Sequence, residues 1–388
     1  MMNNAVYLQS GGPTSVINAS FYGVIKAYQE TNKIDVLYGS RFGLNGLIDD
    51  DLLEISKTRD YSSLCKIPGA ILGSARICVD ENDEEMLNKI LETCKKHEVK
   101  YIFVNGGNDS MDTGMKLNKY FKKVNYSCNV VGVCKTIDND LAEMDLTPGF
   151  ASAVNYINRT IMEVSLDIKS YKKGRVTIVE TMGRDAGWLA ASSVLASDHD
   201  LGPDLIYVPE VEFSIPNFLE DVKRIYEEKK RVLVVVSEAL KDKDGKYVFC
   251  DAKSVDSFGH VQLGSISKNL SNLVSDELGY PVRNIEFNLM QRCASHIESN
   301  MDQEVAYQCG MHAVHYALEN KDGVVAVKVI DAFITYVLKD FKKVANVIRH
   351  MPRDYMNERG NFVSEKGRCY FDMFKDPSLN IDIPDEFR

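Results

Sequence analysis

The strongest constraint on the fold is an alternation of strand-like apolar runs with amphipathic helical stretches along most of the chain. The runs predicted as strands are Ala5–Gln9, Val36–Gly39, Tyr101–Asn105, Val130–Val133, Val176–Glu180, Leu205–Val208 and Val232–Ser237. Apolar residues at helical spacing predict helices over Val16–Tyr28, Glu84–His97 and Pro216–Lys230, the last with Ser214 as its cap. Such alternation is typical of parallel sheets with helices on both faces. The sequence therefore predicts an α/β protein of two lobes, each a mostly parallel sheet with helices on both faces.

The length of 388 residues is enough for two domains of ordinary size. A turn at Thr147-Pro148-Gly149 marks the expected boundary. We expect a first lobe over residues 1–148, joined by a later crossover segment over roughly residues 291–340. The second lobe is expected over 149–290, and a C-terminal extension over 341–388.

Composition excludes several classes of partner. The 46 Lys+Arg against 56 Asp+Glu give a net charge of −10, which argues against non-specific binding to nucleic acid or to a membrane surface. Nine cysteines without a CxxC pair indicate reduced thiols. No segment reaches the length of a membrane span, so we expect a cytoplasmic protein.

The densest polar chemistry follows the predicted strand Val130–Val133. The segment Lys135-Thr136-Ile137-Asp138-Asn139-Asp140 packs two carboxylates, a hydroxyl, an amide and an ammonium into six residues. In open α/β sheets, ligands bind where strands end. A turn with a helix cap is the alternative interpretation, but the segments described next favour a ligand site.

Two glycine turns have the same arrangement of strand, glycine pair and helix start. They are Gly11–Gly12 after the first predicted strand and Gly106–Gly107 after the third, the latter followed by Asn108, Asp109 and Ser110. Glycines permit close backbone approach, and the following helix offers free N–H groups to an anion. Either turn alone could be a plain strand–helix connection, but the pair indicates one polyphosphate cleft.

Arginines at turns and strand ends add positive charge to these segments. They are Arg76 after a glycine turn, Arg175 before a strand, Arg184 within Met182-Gly183-Arg184, and Arg283 and Arg292 late in the chain. A single such arginine is more often a solvated surface charge. Together they favour a phosphate-ester site, since guanidinium groups bind phosphate in a bidentate manner.

These motifs resemble the phosphofructokinase family. Both Gly-Gly turns, Thr136-Ile137-Asp138-Asn139-Asp140, Met182-Gly183-Arg184 and the late Gln291-Arg292 occur in the order typical of that family, over roughly Met1 to Asp340. The resemblance implies a phosphofructokinase-like fold and transfer of a phosphoryl group to the 1-hydroxyl of fructose 6-phosphate. It also implies that the first lobe binds the phosphoryl donor and the second lobe the sugar phosphate.

The resemblance further implies a role for each matching residue. Asp138 would be the catalytic base, Thr136 would contact the substrate and the transferred group, and Asp140 would support the centre. Donor contacts would come from Gly11, Gly12, Arg76, Gly107 and Ser110. Sugar-phosphate contacts would come from Thr136, Asp138, Met182, Gly183, Arg184, Glu238 and Arg292. Arg175 and Arg283 would reach the 6-phosphate of a neighbouring subunit, which implies a homodimer or homotetramer.

Two residues point to pyrophosphate as the donor. ATP-using members carry glycine in place of Asp109 and Lys135, whereas pyrophosphate users carry aspartate and lysine, as this chain does. A carboxylate at Asp109 would repel the α-phosphate of ATP, and Lys135 would stabilise charge on the transferred group. The resemblance thus implies a reversible reaction of pyrophosphate and fructose 6-phosphate in glycolysis and gluconeogenesis.

The same resemblance implies Mg²⁺ as the cofactor. Asn108 is the candidate metal residue, because many members have a magnesium-associated aspartate at that position. A neutral amide is a weaker ligand for a hard cation, so coordination is expected to shift toward Asp138, Asp140, water and pyrophosphate.

Two alternatives remain at this point. One is an ATP-dependent phosphofructokinase in which Asp109 and Lys135 do not select the donor. The other is a non-catalytic regulatory subunit of the same fold. The presence of Asp138, Lys135 and both glycine turns argues against the regulatory subunit, and Asn108 is the one residue in its favour.

Overall fold

A computed structural model of the chain divides into two compact units. It describes the backbone of residues 2–77, 79–255 and 261–384, and their side chains except those of 199 and 250–263. The first unit comprises Met1–Ile137, Leu141–Ser152 and Arg292–Arg349. The second comprises Asp138–Asp140, Ala153–Gln291 and His350–Arg388. The chain therefore passes between the units several times.

The described residues form the following strands and helices. The strands are β1 (Asn4–Gln9), β2 (Leu37–Ser40), β3 (Leu52–Ile55), β4 (Val99–Gly106), β5 (Asn129–Cys134), β6 (Val176–Thr181), β7 (Leu205–Tyr207), β8 (Val232–Ser237), β9 (Cys250–Val255), β10 (Val261–Leu263), β11 (Val282–Glu286), β12 (Gly323–Ile330) and β13 (Phe333–Lys339). The helices are α1 (Ile17–Glu30), α2 (Leu44–Ile48), α3 (Glu84–Lys96), α4 (Asn108–Lys123), α5 (Phe150–Lys169), α6 (Trp188–Ser192), α7 (Ile215–Lys229), α8 (Ile266–Leu278), α9 (Met290–Cys293), α10 (Asn300–Leu318) and α11 (Glu365–Phe371).

The first unit is built on a seven-stranded sheet in the order β13-β12-β5-β4-β1-β2-β3. The five central strands are parallel, and β3 and β13 are antiparallel edge strands. The side chains of β1 are all buried, which explains its continuous apolar run. From β1 the chain proceeds to β2 on one side, whereas β4 and β5 lie on the other side. The carboxyl ends of β1 and β4 therefore form a topological switch point.

Helices α1 and α10 of the first unit pack closely because both carry a glycine at the contact. A Cβ on Gly23 would lie 2.0 Å from the carbonyl oxygen of Tyr307, and one on Gly310 would lie 2.1 Å from that of Ser20. Side chains at either glycine would force the helices apart. The start of α10 is thereby held at a fixed place in the unit.

The second unit contains a parallel four-stranded sheet in the order β11-β6-β8-β7 and the two-stranded antiparallel pair β9–β10. Its core joins the apolar faces of β6, β7 and β8 to those of α7 and α8. The side chain of Ser214 accepts a hydrogen bond from the backbone N–H of Asn217, as the predicted cap of α7 requires. Residues 350–384, including α11, pack into this unit.

The structure confirms the predicted α/β class with mostly parallel sheets flanked by helices. All seven predicted strands coincide with observed ones to within about one or two residues at each end. No helix among the described residues is both long enough and apolar enough to span a membrane.

Candidate active site

The two glycine turns lie side by side at the switch point of the first sheet. The Ser10 N–H donates a hydrogen bond of 2.9 Å to the carbonyl of Asn105, which pairs the ends of β1 and β4. At a switch point the connections leave in opposite directions and open a crevice. The structure thus brings together the two turns, which are almost a hundred residues apart in the sequence.

Lys135 connects the first glycine turn to the end of β5. Its ammonium donates to the carbonyl oxygens of Ser10 at 2.9 Å and Gly12 at 2.7 Å. The Lys135 side chain is only 2% exposed. A positive charge is therefore held rigidly at the turn, where low solvent access strengthens its effect on an anion.

Two guanidinium groups lie over the same turn. A Cβ on Gly12 would fall 2.7 Å from one Arg292 nitrogen and 3.9 Å from an Arg76 nitrogen. Any larger residue at Gly12 would displace the end of Arg292. The resemblance implies a sugar-phosphate contact for Arg292, and within its own unit the guanidinium lies beside the first glycine turn.

The loop before Arg76 is bonded directly to the first glycine turn. The Ser74 hydroxyl donates to the carbonyl of Gly11 at 2.7 Å, and the Gly11 N–H donates to that of Ala75 at 3.3 Å. Gly11 itself has φ of +75°, a conformation that favours glycine. Ser74 was not predicted from the sequence, although it lies within the segment that drew attention to Arg76.

The second glycine turn leads directly into helix α4. Gly107 is the N-cap, and Asp109 lies in the first helical turn, where the helix dipole stabilises its exposed carboxylate. The buried Ser110 hydroxyl explains why residue 106 is glycine, since a Cβ on Gly106 would lie 2.0 Å from the hydroxyl oxygen. Asp109 and Ser110 therefore occupy one helix start, with the carboxylate exposed and the hydroxyl buried.

Asn108 makes hydrogen bonds with both ends of its side-chain amide. Its oxygen accepts the N–H of Asn346, and its nitrogen donates to the carbonyl of Val347 at 3.1 Å. A carboxylate could not make the second bond, which explains an amide at this position. The two hydrogen bonds connect Asn108 to the 346–347 loop. The side-chain oxygen of Asn108 already accepts the N–H of Asn346.

The backbone of Thr136 is fixed on both sides by the 147–148 segment. Its N–H donates to the carbonyl of Pro148 at 3.1 Å, and its own carbonyl accepts the Thr147 hydroxyl at 2.9 Å. Lys135 is held likewise, because its N–H donates to the carbonyl of Gly106 at 3.0 Å. The polar segment therefore leaves β5 in a defined conformation.

In the second unit, Asn139 sets the turn between Asp138 and Asp140. Asn139 has φ of +54°, which asparagine tolerates better than most residues. Its fully buried side chain donates a 2.7 Å hydrogen bond to the hydroxyl of Tyr370. Tyr370, on helix α11, thus anchors the residue that separates the two half-buried aspartates.

Glu238 and Arg184 meet at the carboxyl ends of β8 and β6. The Arg184 N–H donates to the Glu238 carboxylate at 3.1 Å, and the Met182 N–H donates to the side chain of Gln291 at 3.3 Å. Burial, together with the nearby negative charge of Asp138, raises the pKa of Glu238 to about 7. Glu238 can therefore hold a proton near neutral pH and donate or accept a hydrogen bond.

Two acidic residues that the sequence analysis missed position the turn around Arg184. Asp185 accepts hydrogen bonds of 2.7 Å from both Lys241 and Tyr247. Glu210 accepts the N–H of Gly187 at 2.9 Å and that of Met351 at 2.8 Å. Asp185 adjoins the recognised Met182-Gly183-Arg184 motif, whereas no local pattern marks Glu210.

Arg175 and Arg283 lie where strands β6 and β11 of the four-stranded sheet begin, at the opposite end of this sheet from Arg184 and Glu238. Arg175 directly precedes β6, and Arg283 pairs with Thr177 near the start of that strand. Arg184 comes after the strand, so about 20 Å of extended chain separates it from Arg175. Within one chain, the structure does not bring these two arginines to the end of the sheet that carries Arg184.

Asp138 and Asp140 are suited to bind a magnesium ion whose other ligands are water and substrate phosphates. Within the described residues, no group of three His, Cys, Asp or Glu side chains could enclose a metal by itself. Mg²⁺ commonly takes one or two carboxylates, with the remaining positions filled by water and substrate phosphates. Asp138 and Asp140 provide such carboxylates on a single turn.

The predicted site residues therefore fall into two sets, each described within its own unit. The first unit holds Gly11, Gly12, Arg76, Gly107, Asn108, Asp109, Ser110, Lys135, Thr136 and Arg292. The second unit holds Asp138, Asp140, Arg175, Met182, Gly183, Arg184, Glu238 and Arg283.

A family model for phosphofructokinase matches residues 4–317. The chain belongs to the phosphofructokinase family. This phosphofructokinase is 38% identical over 379 residues to the pyrophosphate–fructose 6-phosphate 1-phosphotransferase of Xanthomonas campestris, covering 95% of this chain and 90% of that protein. It is 34% identical over 380 residues to the protein of the same name from Halomonas elongata, covering 95% and 90%.

A solved structure shows the same fold. The crystal structure of a pyrophosphate-dependent phosphofructokinase from Nitrosospira multiformis is 32% identical to this phosphofructokinase and matches it with a TM-score of 0.86. The match covers 96% of this chain and 91% of that one.

Proposed function

We propose that this phosphofructokinase transfers a phosphoryl group from pyrophosphate to the 1-hydroxyl of fructose 6-phosphate. The products are fructose 1,6-bisphosphate and phosphate, and the reaction is reversible. The names of the relatives support this function, and the observation that carries the donor assignment is the Lys135 ammonium held against the first glycine turn. The enzyme is accordingly a phosphotransferase.

Asp138 is the base in the proposed mechanism. It takes the proton of the 1-hydroxyl of fructose 6-phosphate as the hydroxyl oxygen attacks one phosphorus of pyrophosphate. The bond between that phosphorus and the bridging oxygen of pyrophosphate breaks, and phosphate leaves. Thr136, whose backbone is fixed on both sides, is the residue that contacts the transferred group in this mechanism. A general base contributes about 10²–10⁴-fold to the rate, so Asp138→Ala should lose at least that range.

Lys135 and the arginines of the first unit stabilise the donor. Lys135, Arg76 and Arg292 place three positive charges around Gly12, where the charge of the departing phosphate develops. N–H groups at the start of α4 add to this stabilisation. Asp109 adds a negative charge at the same helix start and repels a longer polyphosphate chain.

Glu238 and the Met182–Arg184 turn orient the sugar phosphate. Their groups lie at the carboxyl ends of adjacent parallel strands, where the backbone N–H of Arg184 fixes the Glu238 carboxylate. Interactions with the non-reacting part of the sugar phosphate convert binding energy into orientation of the attacking oxygen.

We also propose Mg²⁺ as the cofactor, with Asp138 and Asp140 as its protein ligands. The ion, when bound, neutralises charge on the pyrophosphate. Both ends of the Asn108 amide are hydrogen-bonded to residues 346 and 347, which supports a structural role for Asn108 in place of the metal-binding role expected from its position.

The proposed active enzyme is a homodimer or homotetramer. The position of Arg175 and Arg283 at the far end of the second sheet supports this assembly, because it leaves both arginines available to a neighbouring subunit.

Initial rates with each donor test the proposed function. Purified enzyme is assayed with fructose 6-phosphate and Mg²⁺, with either pyrophosphate or ATP as the donor, and fructose 1,6-bisphosphate is measured. We expect turnover with pyrophosphate, and a kcat/KM for ATP lower by at least about 100-fold, since like-charge repulsion costs several kcal/mol. Turnover with ATP alone, or with neither donor, would overturn the proposal.

A further inference from the structure

Asp302, near the start of α10, is the most buried acidic residue close to the Thr136 segment of the first unit. Its carboxylate is 0% exposed and accepts three hydrogen bonds. One oxygen accepts the N–H of Gly149 at 2.8 Å. The other accepts the N–H of Ser152 at 3.0 Å and the hydroxyl of the same residue at 2.6 Å. Asp302 thus supplies from another helix the acceptors that the start of α5 requires.

The bonds around Asp302 link the starts of α5 and α10. Ser299 caps α10 by accepting the N–H of Asp302, and the Ser152 hydroxyl oxygen accepts the N–H of Ser299 at 3.1 Å. Because α10 is packed tightly on α1, it provides a rigid base for these bonds. The first turn of α5 is therefore fixed by a buried polar network rather than by a local cap.

The network continues from α5 to the backbone of Thr136. Gly149 forms a parallel bridge with Thr136, and Pro148 and Thr147 bond both backbone groups of Thr136. Gly149 has no room for a side chain, since a Cβ there would lie 2.6 Å from Thr14. Thr136 in turn stands two residues before the proposed base. A shift of residues 147–149 would therefore be passed directly to the catalytic segment.

We propose that Asp302 is a positioning residue for catalysis: its carboxylate fixes residues 147–149, which in turn fix the backbone of Thr136. Asp302 contacts neither substrate nor the reacting atoms in this role. Burial raises the pKa of Asp302 to about 6, so the carboxylate stays ionised at neutral pH and can accept all three bonds. The inference rests on the proposed function for its kinetic consequences.

Asp302→Asn is the first variant for the test. Asparagine keeps the volume but turns one oxygen into a donor, so one of the two backbone N–H groups loses its acceptor. We expect kcat to fall by about 10- to 100-fold, because small misplacements of reacting groups have effects of this size. Both KM values should stay within about threefold, since Asp302 contacts no substrate and the proposed phosphate-binding arginines are not altered.

Thr147→Val tests the last link of the same chain of bonds and does not depend on Asp302. It removes the hydroxyl that donates to the Thr136 carbonyl while preserving the side-chain shape. The same pattern of lower kcat with nearly constant KM is expected. This variant decides the question if Asp302→Asn does not fold.

Asp221→Asn is the matched control. Asp221 is another buried aspartate, 1% exposed, that accepts hydrogen bonds from Tyr207 and Asn361 in the second unit. It is bonded to none of the residues of the Thr136 segment. We expect Asp221→Asn to lower the melting temperature and to leave kcat within about twofold.

Hydrogen exchange at the Thr136 amide gives a readout that is independent of activity. Faster exchange in Asp302→Asn than in Asp221→Asn supports the proposal, and equal exchange overturns it. A folded Asp302→Asn or Thr147→Val variant with kcat within about twofold of wild type would also overturn it. If the wild-type protein transfers no phosphoryl group, the proposed function fails, and the exchange rates still decide the role of Asp302.

Discussion

Asn108 has to donate as well as accept a hydrogen bond, because Val347 offers a carbonyl oxygen and Asn346 an N–H. We therefore expect Asn108→Asp to lower the free energy of unfolding by about 1 kcal/mol, through loss of one hydrogen bond and repulsion from the carbonyl. The dependence of activity on Mg²⁺ concentration should not change. Thermal denaturation and a Mg²⁺ titration measure these two effects.

A control separates the hydrogen bond from the change in charge. Asn32→Asp introduces the same charge at an exposed position after α1 and should leave the melting temperature nearly unchanged. A tighter apparent affinity for Mg²⁺ in Asn108→Asp would show that this position binds metal, contrary to the structural role.

The raised pKa of Glu238 predicts how the stability of the protein depends on pH. The pKa of Glu238 is raised to about 7, so the native state retains a proton that the unfolded chain loses near pH 4.5. Stability from this group is therefore complete below pH 4.5 and is lost as the pH rises through 7. We expect Glu238→Gln to raise the melting temperature relative to wild type at pH 8, with a difference that shrinks toward pH 5.

Glu212→Gln is the control for Glu238→Gln. Glu212 is exposed, and its replacement should have the same effect at both pH values. A difference between Glu238→Gln and wild type that does not vary with pH would contradict the raised pKa.

Sequence patterns predicted the central strands better than the edges of the sheets. The buried strands have continuous apolar runs, whereas the edge strand β11 has mostly exposed residues and gave no such signal. Strand β12 was not predicted, although it contains an apolar run, Gly323-Val324-Val325-Ala326-Val327. Edge strands are therefore harder to predict from apolar runs than buried central strands.

Site residues that belong to local sequence motifs were predicted, whereas residues that act through distant partners were not. The glycine turns and the 135–140 segment are local patterns at strand ends, so they could be recognised from the sequence. Asp302 and Glu210 were missed, because each has a partner about 140–150 residues away in the chain and neither lies in a local motif. Only the folded backbone shows that these carboxylates hold the turns in place.

Helix α11 supports the turn that carries the proposed base in the second unit through the hydroxyl of Tyr370. Tyr370→Phe would remove the acceptor of the Asn139 amide while keeping the ring against Trp188 at 5.0 Å between centroids. Since Asn139 separates the two aspartates, we expect kcat to fall by about tenfold with a small loss of stability. Steady-state kinetics and thermal denaturation measure both effects.

Tyr355→Phe is the matched variant, because the Tyr355 ring also packs against Trp188, at 6.1 Å. It should leave kcat within about twofold. Equal losses in the two variants would assign the effect to aromatic packing instead of the hydroxyl.

At the scale of the whole molecule, the position of Arg175 and Arg283 predicts sites shared between subunits. Arg175→Ala and Asp138→Ala should each be inactive alone. A dimer mixed from the two variants contains one site with both defects and one site with neither. The purified mixed dimer should therefore have about half of the wild-type activity. Co-expression of differently tagged variants, followed by assay of the purified mixed oligomer, provides the measurement.

Arg184→Ala provides the control for the mixing experiment. Arg184 lies at the carboxyl end of the second sheet with Glu238, so it should serve the same chain as Asp138. Mixing Arg184→Ala with Asp138→Ala should then leave one defect in each site and restore no activity. Absence of recovery with Arg175→Ala as well would contradict shared sites.

The central claim is that Asp109 and Lys135 select pyrophosphate, and the ratio of kcat/KM for pyrophosphate to that for ATP tests it most directly. The ratio is measured for the wild type and for the double variant Asp109→Gly with Lys135→Gly. We predict a fall of at least about 100-fold in the double variant, because the lysine charge at the glycine turn and the repelling carboxylate are both removed. A ratio that is the same in the two proteins would contradict the claim.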